Sequence, residues 1–400
     1  MPVPAPEPAR GTVKLAKNQD RRLRSGHLWV FSNEIEGIEG GPAPGAEVLV
    51  VDHRGSPVGV GLYNPHSLIA VRLFARTPRA IDATLVHERL KRAMELRARI
   101  YPVEHTYRLV HGEGDYLPGL VVDRYGDYLA VQSLALGIDQ RIDWILDVLE
   151  EEIRPAAILC RRDAPARDRE GLPLQPPIVR GEIPERVDAP YEGLVLSVDL
   201  LTGQKTGEFL DQRDNRKRLA RESRGRRMLD LYCYTGLFAL HAAVAGASFV
   251  LGIDRSGPAI ERARLNLQRN APTRAVEFRE AEVESALAQM ERDGERFDMI
   301  VLDPPALVKS RKDLPEGVRK YVTINEQALR LLTPDGLLAT ATCSHHVDAA
   351  LFLDIVRQAA KRAKTELRLV EVLGQSRDHP VLLAARETSY LTLAILERMR

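Results

Sequence analysis

The sequence has few cysteines and no long apolar run. Its three cysteines, Cys160, Cys233 and Cys343, are an odd number and form no C-x-x-C motif. This argues against a disulfide framework and a structural zinc site, and it indicates a reducing cytoplasm and no bound metal. Since no apolar run approaches 18 residues, we expect no membrane span. The start, Met1-Pro2-Val3-Pro4-Ala5-Pro6-Glu7-Pro8, lacks the pattern of a secretory signal and indicates an extended tail.

An excess of charge of one sign is also lacking. The 57 Lys and Arg residues and the 56 Asp and Glu residues give a net charge of +1. This balance produces no overall attraction to nucleic acid, so any affinity for RNA has to come from local patches. The 400 residues are sufficient for two or three domains with hydrophobic cores.

A loop with a single glycine carries the clearest functional signal. The stretch Met228-Leu229-Asp230-Leu231-Tyr232-Cys233-Tyr234-Thr235-Gly236 has the pattern of a strand and a tight loop, and a helical pattern follows it. A dinucleotide enzyme needs G-x-G-x-x-G here, so that backbone amides can approach a pyrophosphate. The acid Asp230 would repel a phosphate, whereas it suits the cationic methyl donor S-adenosylmethionine. The pattern therefore predicts an α/β fold, a Rossmann-like methyltransferase.

Further acids follow the next predicted strands. Asp254 ends a strand predicted at 248–253, where its carboxylate can take both ribose hydroxyls, and Glu282 follows one at 276–278 near the expected adenine. Asp303 follows a strand at 297–302 and precedes Pro304-Pro305, which hold the loop rigidly. Later strands are predicted at 337–342, 367–372 and 390–396. We expect the acids to meet at the carboxyl edge of one sheet, where ligands of such folds bind.

Cys343 and Asp303 form a chemically specific pair, because each comes just after a predicted strand of this fold. Carbon 5 of cytosine is a poor nucleophile, but addition of a cysteine thiolate at carbon 6 makes it able to attack a methyl group. A carboxyl group that hydrogen-bonds or protonates N3 would ease the addition. These residues predict cytosine-C5 methylation, with Cys343 as nucleophile and Asp303 as its acid partner.

The chain before residue 193 predicts two small domains. Short alternating strands at 1–76 indicate a β-rich, barrel-like module, in which Arg21, Arg22 and Arg24 near Trp29 and Phe31 are candidates for RNA contact. Residues 77–192 indicate an α+β domain with helices at 82–99 and 140–152, and 161–190 has the pattern of a loop or a covering arm. The catalytic domain is predicted at 193–400.

A basic stretch precedes the cofactor strand. Asp211 can cap a helix that runs to about Ser223, and eight basic residues lie between Arg213 and Arg227. The stretch fits a solvated helix face or a wall that binds phosphates. Its candidates for RNA contact are Arg213 and Arg216, together with the nearby Lys205.

Several segments together resemble the bacterial cytosine-C5 methyltransferases of large-subunit ribosomal RNA, which have a PUA domain, a small central domain and a Rossmann-like catalytic domain. The most specific of them is the run Lys205-Thr206-Gly207-Glu208-Phe209-Leu210-Asp211-Gln212-Arg213-Asp214-Asn215-Arg216. The others are Gly26-His27-Leu28-Trp29-Val30-Phe31, the run from Asp115 to Tyr125, Asp303-Pro304-Pro305 and Thr342-Cys343-Ser344.

The resemblance implies RNA binding by the PUA module, large-subunit ribosomal RNA as the partner, and attack by Cys343. It also implies an S-adenosylmethionine pocket made from these candidates: Phe209, Gln212, Asp230, Tyr232, Tyr234, Thr235, Gly236, Asp254, Arg255, Glu282 and Asp303. Leu307 stands where the family usually has an aromatic residue, and Glu282 stands where Asp is commoner.

Two other functions are compatible with the pattern. Methylation of an exocyclic amine of guanine or adenine in RNA also uses an acidic loop with two prolines, although it needs no cysteine. A ribosome assembly factor that binds RNA without turnover is the second alternative. The sequence leaves open the target nucleotide, the base that removes the carbon 5 proton, and whether the chain forms a homodimer.

Overall fold

The computed structural model describes residues 11–203, 205–270 and 275–399, which form two compact units. The first unit comprises 11–193, Val198–Glu208 and Arg377–Thr388. The second comprises Leu194–Ser197, Phe209–Ser376 and 389–399. The tail predicted at the start of the chain lies outside the described residues. The domain boundaries at 76 and 192 stay predictions.

The first unit begins with a small β-rich module. Its elements are β1 (Thr12–Leu15), α1 (Arg21–Arg24), β2 (Trp29–Phe31), β3 (Ile35–Glu39), β4 (Glu47–Val51), β5 (Pro57–Tyr63) and β6 (Ile69–Ala75). The strands form one sheet in the order β2-β6-β5-β4-β1-β3. Alternate apolar side chains of these strands are fully buried, among them Val13, Leu15, Val48 and Val50. The short alternating strands predicted from the sequence are thus present.

A second sheet of the same unit follows. Its elements are α2 (Ala83–Ile100), β7 (Thr106–His111), β8 (Leu120–Tyr125), β9 (Tyr128–Ser133), α3 (Leu136–Asp139), α4 (Ile142–Ile153), β10 (Ala157–Arg161) and β11 (Ile178–Gly181), and β12 (Val187–Tyr191) comes next. The sheet order is β11-β10-β9-β8-β7. The Asp82 carboxylate caps α2 by accepting a hydrogen bond from the Leu85 amide at 3.0 Å.

The loop or arm predicted at 161–190 is in part wrong, because this stretch contains β11 and most of β12. β11 pairs antiparallel with β10, so that Ile178 lies opposite Cys160. The stretch is rich in proline and polar residues, and these obscured two strands of only four and five residues.

The segment Arg377–Thr388 joins the first unit although it lies near the end of the chain. The Asp378 carboxylate accepts a hydrogen bond from the Arg108 amide at 2.8 Å, and the Asp378 carbonyl accepts one from the buried Arg97 guanidinium at 2.6 Å. A one-dimensional pattern does not indicate such a contact, since it depends on chain segments more than 250 residues apart.

The second unit contains a seven-stranded sheet. The elements of this part of the chain are β13 (Leu194–Val198), α5 (Arg213–Ala220), β14 (Arg227–Leu231), α6 (Leu237–Val244), β15 (Phe249–Asp254), α7 (Gly257–Asn270), β16 (Ala275–Glu280), α8 (Val283–Arg292), β17 (Phe297–Leu302), α9 (Leu314–Leu331), β18 (Leu332–Thr342), α10 (Ala349–Arg362), β19 (Leu367–Leu373) and β20 (Thr392–Arg398). All of these strands except β13 belong to the sheet. The order is β16-β15-β14-β17-β18-β20-β19. The first five strands in this order, β16, β15, β14, β17 and β18, are parallel to one another, and β20 is antiparallel to both of its neighbours.

Helices cover both faces of this sheet, as two buried clusters show. One cluster joins Leu229, Ile300 and Leu338 to residues of α8, α9 and α10, and the other joins Val250 and Met299 to residues of α6 and α7. Near-continuous apolar runs are expected for strands that are buried on both faces. Among the described residues, no helix is both long and apolar enough to cross a membrane.

The cap predicted at Asp211 is wrong. Asp211 lies in a 3-10 turn at Leu210–Gln212, and α5 begins at Arg213 and ends at Ala220. The Asp211 carboxylate accepts a hydrogen bond from the Tyr390 hydroxyl at 2.7 Å instead. This partner is 179 residues away, so local capping rules could not identify it.

Candidate active site

The candidate site lies at the carboxyl edge of the seven-stranded sheet. Leu231, at the end of β14, stands opposite Ile253 of β15 and Leu302 of β17, and Leu302 stands opposite Thr340 of β18. Asp254, Asp303 and Cys343 come at or just after the ends of these strands. The crevice at this edge, between the strands where their order reverses, is where open α/β sheets bind ligands.

The loop after β14 has an unusual backbone. Tyr232, Tyr234 and Gly236 all have positive φ, at 60°, 49° and 76°. Non-glycine residues in this region cost about 1–3 kcal/mol each and are concentrated at ligand sites. The Tyr234 amide donates to the Asp254 carboxylate at 3.0 Å, which binds the loop to the end of β15.

Gly236 fits the loop because it has no side chain. A Cβ atom at this position would lie 2.5 Å from the Phe278 ring and 3.0 Å from the Ala263 Cβ. We expect Gly236→Ala to lower the free energy of unfolding by about 2–4 kcal/mol, since left-handed backbone strain and overpacking add. Denaturant unfolding would measure the loss, and S-adenosylmethionine binding should weaken with it.

Gly294→Ala is the matched control for this variant. Gly294 has φ +71°, and a Cβ atom there would meet no atom within 4 Å. It should therefore cost only about 1 kcal/mol, the backbone contribution. Equal losses in the two variants would contradict the role given to the contact with Phe278.

Asp230 is a buried carboxylate with unused hydrogen-bonding capacity. It is 1% exposed, and its Oδ2 accepts a hydrogen bond from the Ala239 amide of α6 at 3.0 Å. Its Oδ1 has no hydrogen-bond partner within the described part of the chain. Burial, with a contribution from Asp303, raises the pKa of Asp230 to about 8, although Arg216 and the Ala239 amide oppose the rise. Such a group is suited to a cationic ligand.

Asp303 is held by a chain of amide hydrogen bonds. Its Oδ2 accepts from the Gln212 Nε2 at 3.0 Å, and the Gln212 Oε1 accepts from the Asn215 Nδ2 at 2.6 Å. Asn215 also donates to the Gly374 carbonyl at 3.0 Å, which fixes its own amide. These hydrogen bonds, together with the following Pro304-Pro305, restrict the Asp303 carboxylate to one position.

The remaining cofactor candidates surround the same loop. Phe209 meets the Tyr234 ring edge-on, with centroids 5.0 Å apart. The buried Thr235 accepts a hydrogen bond from Asn266 through its carbonyl at 3.1 Å. Glu282, which directly precedes α8, and Arg255 are exposed. The sheet edge thus combines several acids with two aromatic rings, a composition suited to a cation rather than a phosphate.

Cys343 differs from the other cysteines in exposure. Cys160 and Cys233 are buried, whereas Cys343 is half-buried. Burial raises the pKa of the Cys160 thiol to about 12 and that of Cys233 well above its usual range. Since the thiolate is the nucleophile, burial disfavours the reactive form of Cys160 and Cys233, and Cys343 is the one of the three cysteines that is partly exposed.

The sequence is similar to those of known proteins over most of its length. A family model described as a PUA-like domain matches residues 13–76, and one described as an S-adenosylmethionine-dependent methyltransferase matches residues 176–391. The ribosomal RNA large subunit methyltransferase I of Photobacterium profundum is 36% identical over 386 residues, which cover 95% of this chain and 97% of that protein. Its counterpart in Shewanella denitrificans is 38% identical over 385 residues, with the same coverage.

The chain belongs to the S-adenosylmethionine-dependent methyltransferase family. A Streptococcus mutans protein described as such a methyltransferase shares the fold, with a TM-score of 0.83 at 19% identity over 96% of this chain and 99% of that one. The predicted fold, a PUA-like domain followed by a Rossmann-like methyltransferase, is confirmed, and so is the predicted cofactor.

Two supports of the methyltransferase site were not expected from the sequence. The fully buried Tyr321 of α9 places its hydroxyl 2.8 Å from the Thr342 hydroxyl and 3.0 Å from the Ser344 hydroxyl, on either side of Cys343. Asn215 orients Gln212, as described above. A tyrosine on the apolar face of α9 was the available signal, since a buried hydroxyl usually needs a partner.

The RNA candidates of the methyltransferase differ in accessibility. Arg21 and Lys205 are exposed, and Arg24 is exposed but paired with Asp20 and Asp52. Arg22 is half-buried and pairs with Glu34 at 2.9 Å.

Arg213 and Arg216 are buried, at 0% and 5% exposure. Their burial does not support direct contact with RNA phosphates, because neither guanidinium is at the surface. Arg216 instead lies near enough to Asp230 to lower that pKa.

Proposed function

We propose that the chain forms 5-methylcytosine in large-subunit ribosomal RNA through a covalent cysteine adduct. The observation that carries the proposal is the half-buried Cys343. It follows β18, which pairs with β17, and Asp303 comes directly after β17. The relatives that are 36–38% identical are named for methylation of large-subunit ribosomal RNA. The relatives' name supports large-subunit ribosomal RNA as the substrate, and the Cys343 thiol supports cytosine as the target base.

The residues present fit S-adenosylmethionine. The unpartnered Oδ1 of buried Asp230 can accept a hydrogen bond from its amino group, and the Asp254 carboxylate at the end of β15 can accept from its ribose hydroxyls. Phe209, Gln212, Tyr232, Tyr234, Thr235, Gly236, Arg255 and Glu282 complete the proposed pocket. When bound, S-adenosylmethionine supplies an electrophilic methyl group.

Cys343 and Asp303 would act on the pyrimidine. The Cys343 thiolate forms a bond to carbon 6 while Asp303 hydrogen-bonds or supplies a proton at N3, so that carbon 5 becomes the nucleophile. After carbon 5 is methylated, a base removes its proton, and the electron pair of that C–H bond expels the thiolate from carbon 6. Asp303 then recovers its proton from N3 in this cycle.

The substrate strand has to be unpaired at the target. A base in a duplex cannot reach a thiol at a sheet edge unless it is unstacked, so a single-stranded or loosely folded region is expected. Arg21, Arg22 and Arg24 of the PUA-like domain, together with Lys205, are proposed to bind the phosphates of the same RNA.

Trapping with 5-fluorocytidine tests the proposal. Fluorine at carbon 5 cannot leave as a proton does, so the adduct should persist and join the chain to large-subunit RNA that contains the analogue. A complex stable to denaturation, formed only with S-adenosylmethionine and mapped to Cys343, is the expected result. Methyl transfer without any trapped complex would favour the exocyclic amine alternative. If neither is found with any ribosomal RNA, the assembly-factor alternative gains.

A further inference from the structure

A basic loop beside the site has no role in the chemistry above. Lys309, Arg311 and Lys312, here named the cationic loop, are exposed. Within the parts of the chain that the structure describes, none of the three forms an ion pair. The neighbouring acids have other partners: Asp313 accepts a hydrogen bond from the Ser310 hydroxyl at 2.9 Å, and Glu316 pairs with Lys320 at 2.7 Å. Three positive charges are thus available to a ligand.

The cationic loop is attached firmly to the segment that carries Cys343. Val308, which directly precedes Lys309, is 2% exposed, and its amide donates to the Ser344 hydroxyl at 3.2 Å. The Ser344 hydroxyl also lies 3.0 Å from the Tyr321 hydroxyl. Ser344 is next to Cys343 in the chain, so these contacts set where the three cations lie relative to the thiol.

A glycine of α9 brings the loop close to the helix. A Cβ atom at Gly317 would lie 2.3 Å from the Val308 side chain and 2.8 Å from the Leu307 carbonyl. The residues just before the cationic loop therefore lie against the first turn of α9. This contact and the one to Ser344 both hold the start of the loop at Val308.

We infer that the cationic loop binds the phosphates of the RNA strand that flank the nucleotide presented to Cys343. The inference rests on the proposed function for the identity of the RNA. Phosphate contacts fix the register of a strand, and a nucleotide can be turned toward a pocket only when its backbone is held beside it. The cationic loop adjoins the segment that carries Cys343 and can make such phosphate contacts. The buried Arg213 and Arg216 do not reach the surface.

The test replaces all three cations with glutamine in the full-length chain: Lys309→Gln, Arg311→Gln and Lys312→Gln. Binding of in vitro transcribed large-subunit ribosomal RNA is measured without S-adenosylmethionine at several salt concentrations. Loss of three contacts to a single strand should lower the slope of log affinity against log salt by about 2. Affinity at low salt should fall about 10- to 100-fold.

The matched control replaces Lys361, Arg362 and Lys364 with glutamine, which removes the same charge from exposed positions at and just after the end of α10, where Arg362 lies 3.9 Å from Glu326. Because α10 starts just after β18 and runs back, this end lies at the opposite edge of the sheet. The control should keep the wild-type slope. An unchanged slope in the loop variant, or an equal loss in the control, would overturn the inference.

The binding measurement is independent of the cysteine chemistry. If wild type traps no 5-fluorocytidine RNA while the loop variant loses its salt slope, the cysteine adduct is refuted, whereas the binding of RNA phosphates by the cationic loop stands. If wild type forms the adduct and the loop variant binds and traps as well as wild type does, the adduct stands and the loop assignment fails.

Discussion

Replacing Cys343 with alanine should reduce methylation of large-subunit RNA to below about one ten-thousandth of the wild-type rate, because no second group can form the bond to carbon 6. The other thiols cannot substitute, since burial raises the pKa of both. S-adenosylmethionine binding should be unchanged, because the cofactor candidates lie on other elements. Transfer of labelled methyl groups to RNA and equilibrium binding of the cofactor measure the two effects separately.

Two further variants make the Cys343 result specific. Cys343→Ser keeps the size of the side chain and should be as inactive as Cys343→Ala, because a hydroxyl is a far weaker nucleophile than a thiolate at neutral pH. Cys160→Ala removes a buried thiol of β10 in the first unit and should leave adduct formation intact. A Cys343→Ala enzyme that still methylates RNA would exclude the adduct and favour methylation of an exocyclic amine.

The strands and acids of the catalytic sheet were predictable because their signals are local. Asp230 interrupts an apolar run, and two further runs end at Asp254 and Asp303. The single glycine of the loop after β14 distinguishes it from a dinucleotide site. Parallel pairing then places the strand ends at one edge without further information. The structure has these strands, including β19 and β20 near their predicted positions.

The supports of the site were not predictable because each depends on distant partners. Gln212 reaches Asp303 across 91 residues, and Tyr390 reaches Asp211 across 179. Charge patterning was misleading for Arg213 and Arg216, since a basic stretch usually indicates a solvated face while these side chains are buried. The side of a short helix that faces the core is decided by tertiary packing.

The affinity for S-adenosylmethionine should rise with pH up to about 8 as Asp230 ionises. Burial raises the pKa of Asp230 to about 8, so below that pH the carboxyl group is mostly neutral. A cationic ligand binds the ionised form better, and binding then releases a proton. The affinity should gain up to about tenfold for each pH unit between 6 and 8.

The variant Asp230→Asn tests how much the Asp230 carboxyl group contributes to this pH dependence. An α-amino group titrates near 8 as well, so the wild-type chain and the variant are compared at each pH. The variant should bind more weakly at pH 8 and should lose the part of the pH dependence that belongs to Asp230. Calorimetry in buffers of different ionisation enthalpy should show less proton release from the variant. Identical pH profiles would contradict contact between Asp230 and the cofactor.

The same group affects folding with a definite sign. Without ligand the folded chain keeps the Asp230 proton up to about pH 8, whereas the unfolded chain loses it near the usual aspartate pKa of 3.8. The folded state therefore binds more protons between these values, and the contribution of Asp230 to the free energy of unfolding falls as pH rises through this window. Asp230→Asn should remove that decrease. The site thus carries a cost in stability at neutral pH that a bound cation offsets, as expected for a carboxylate held in place to bind one.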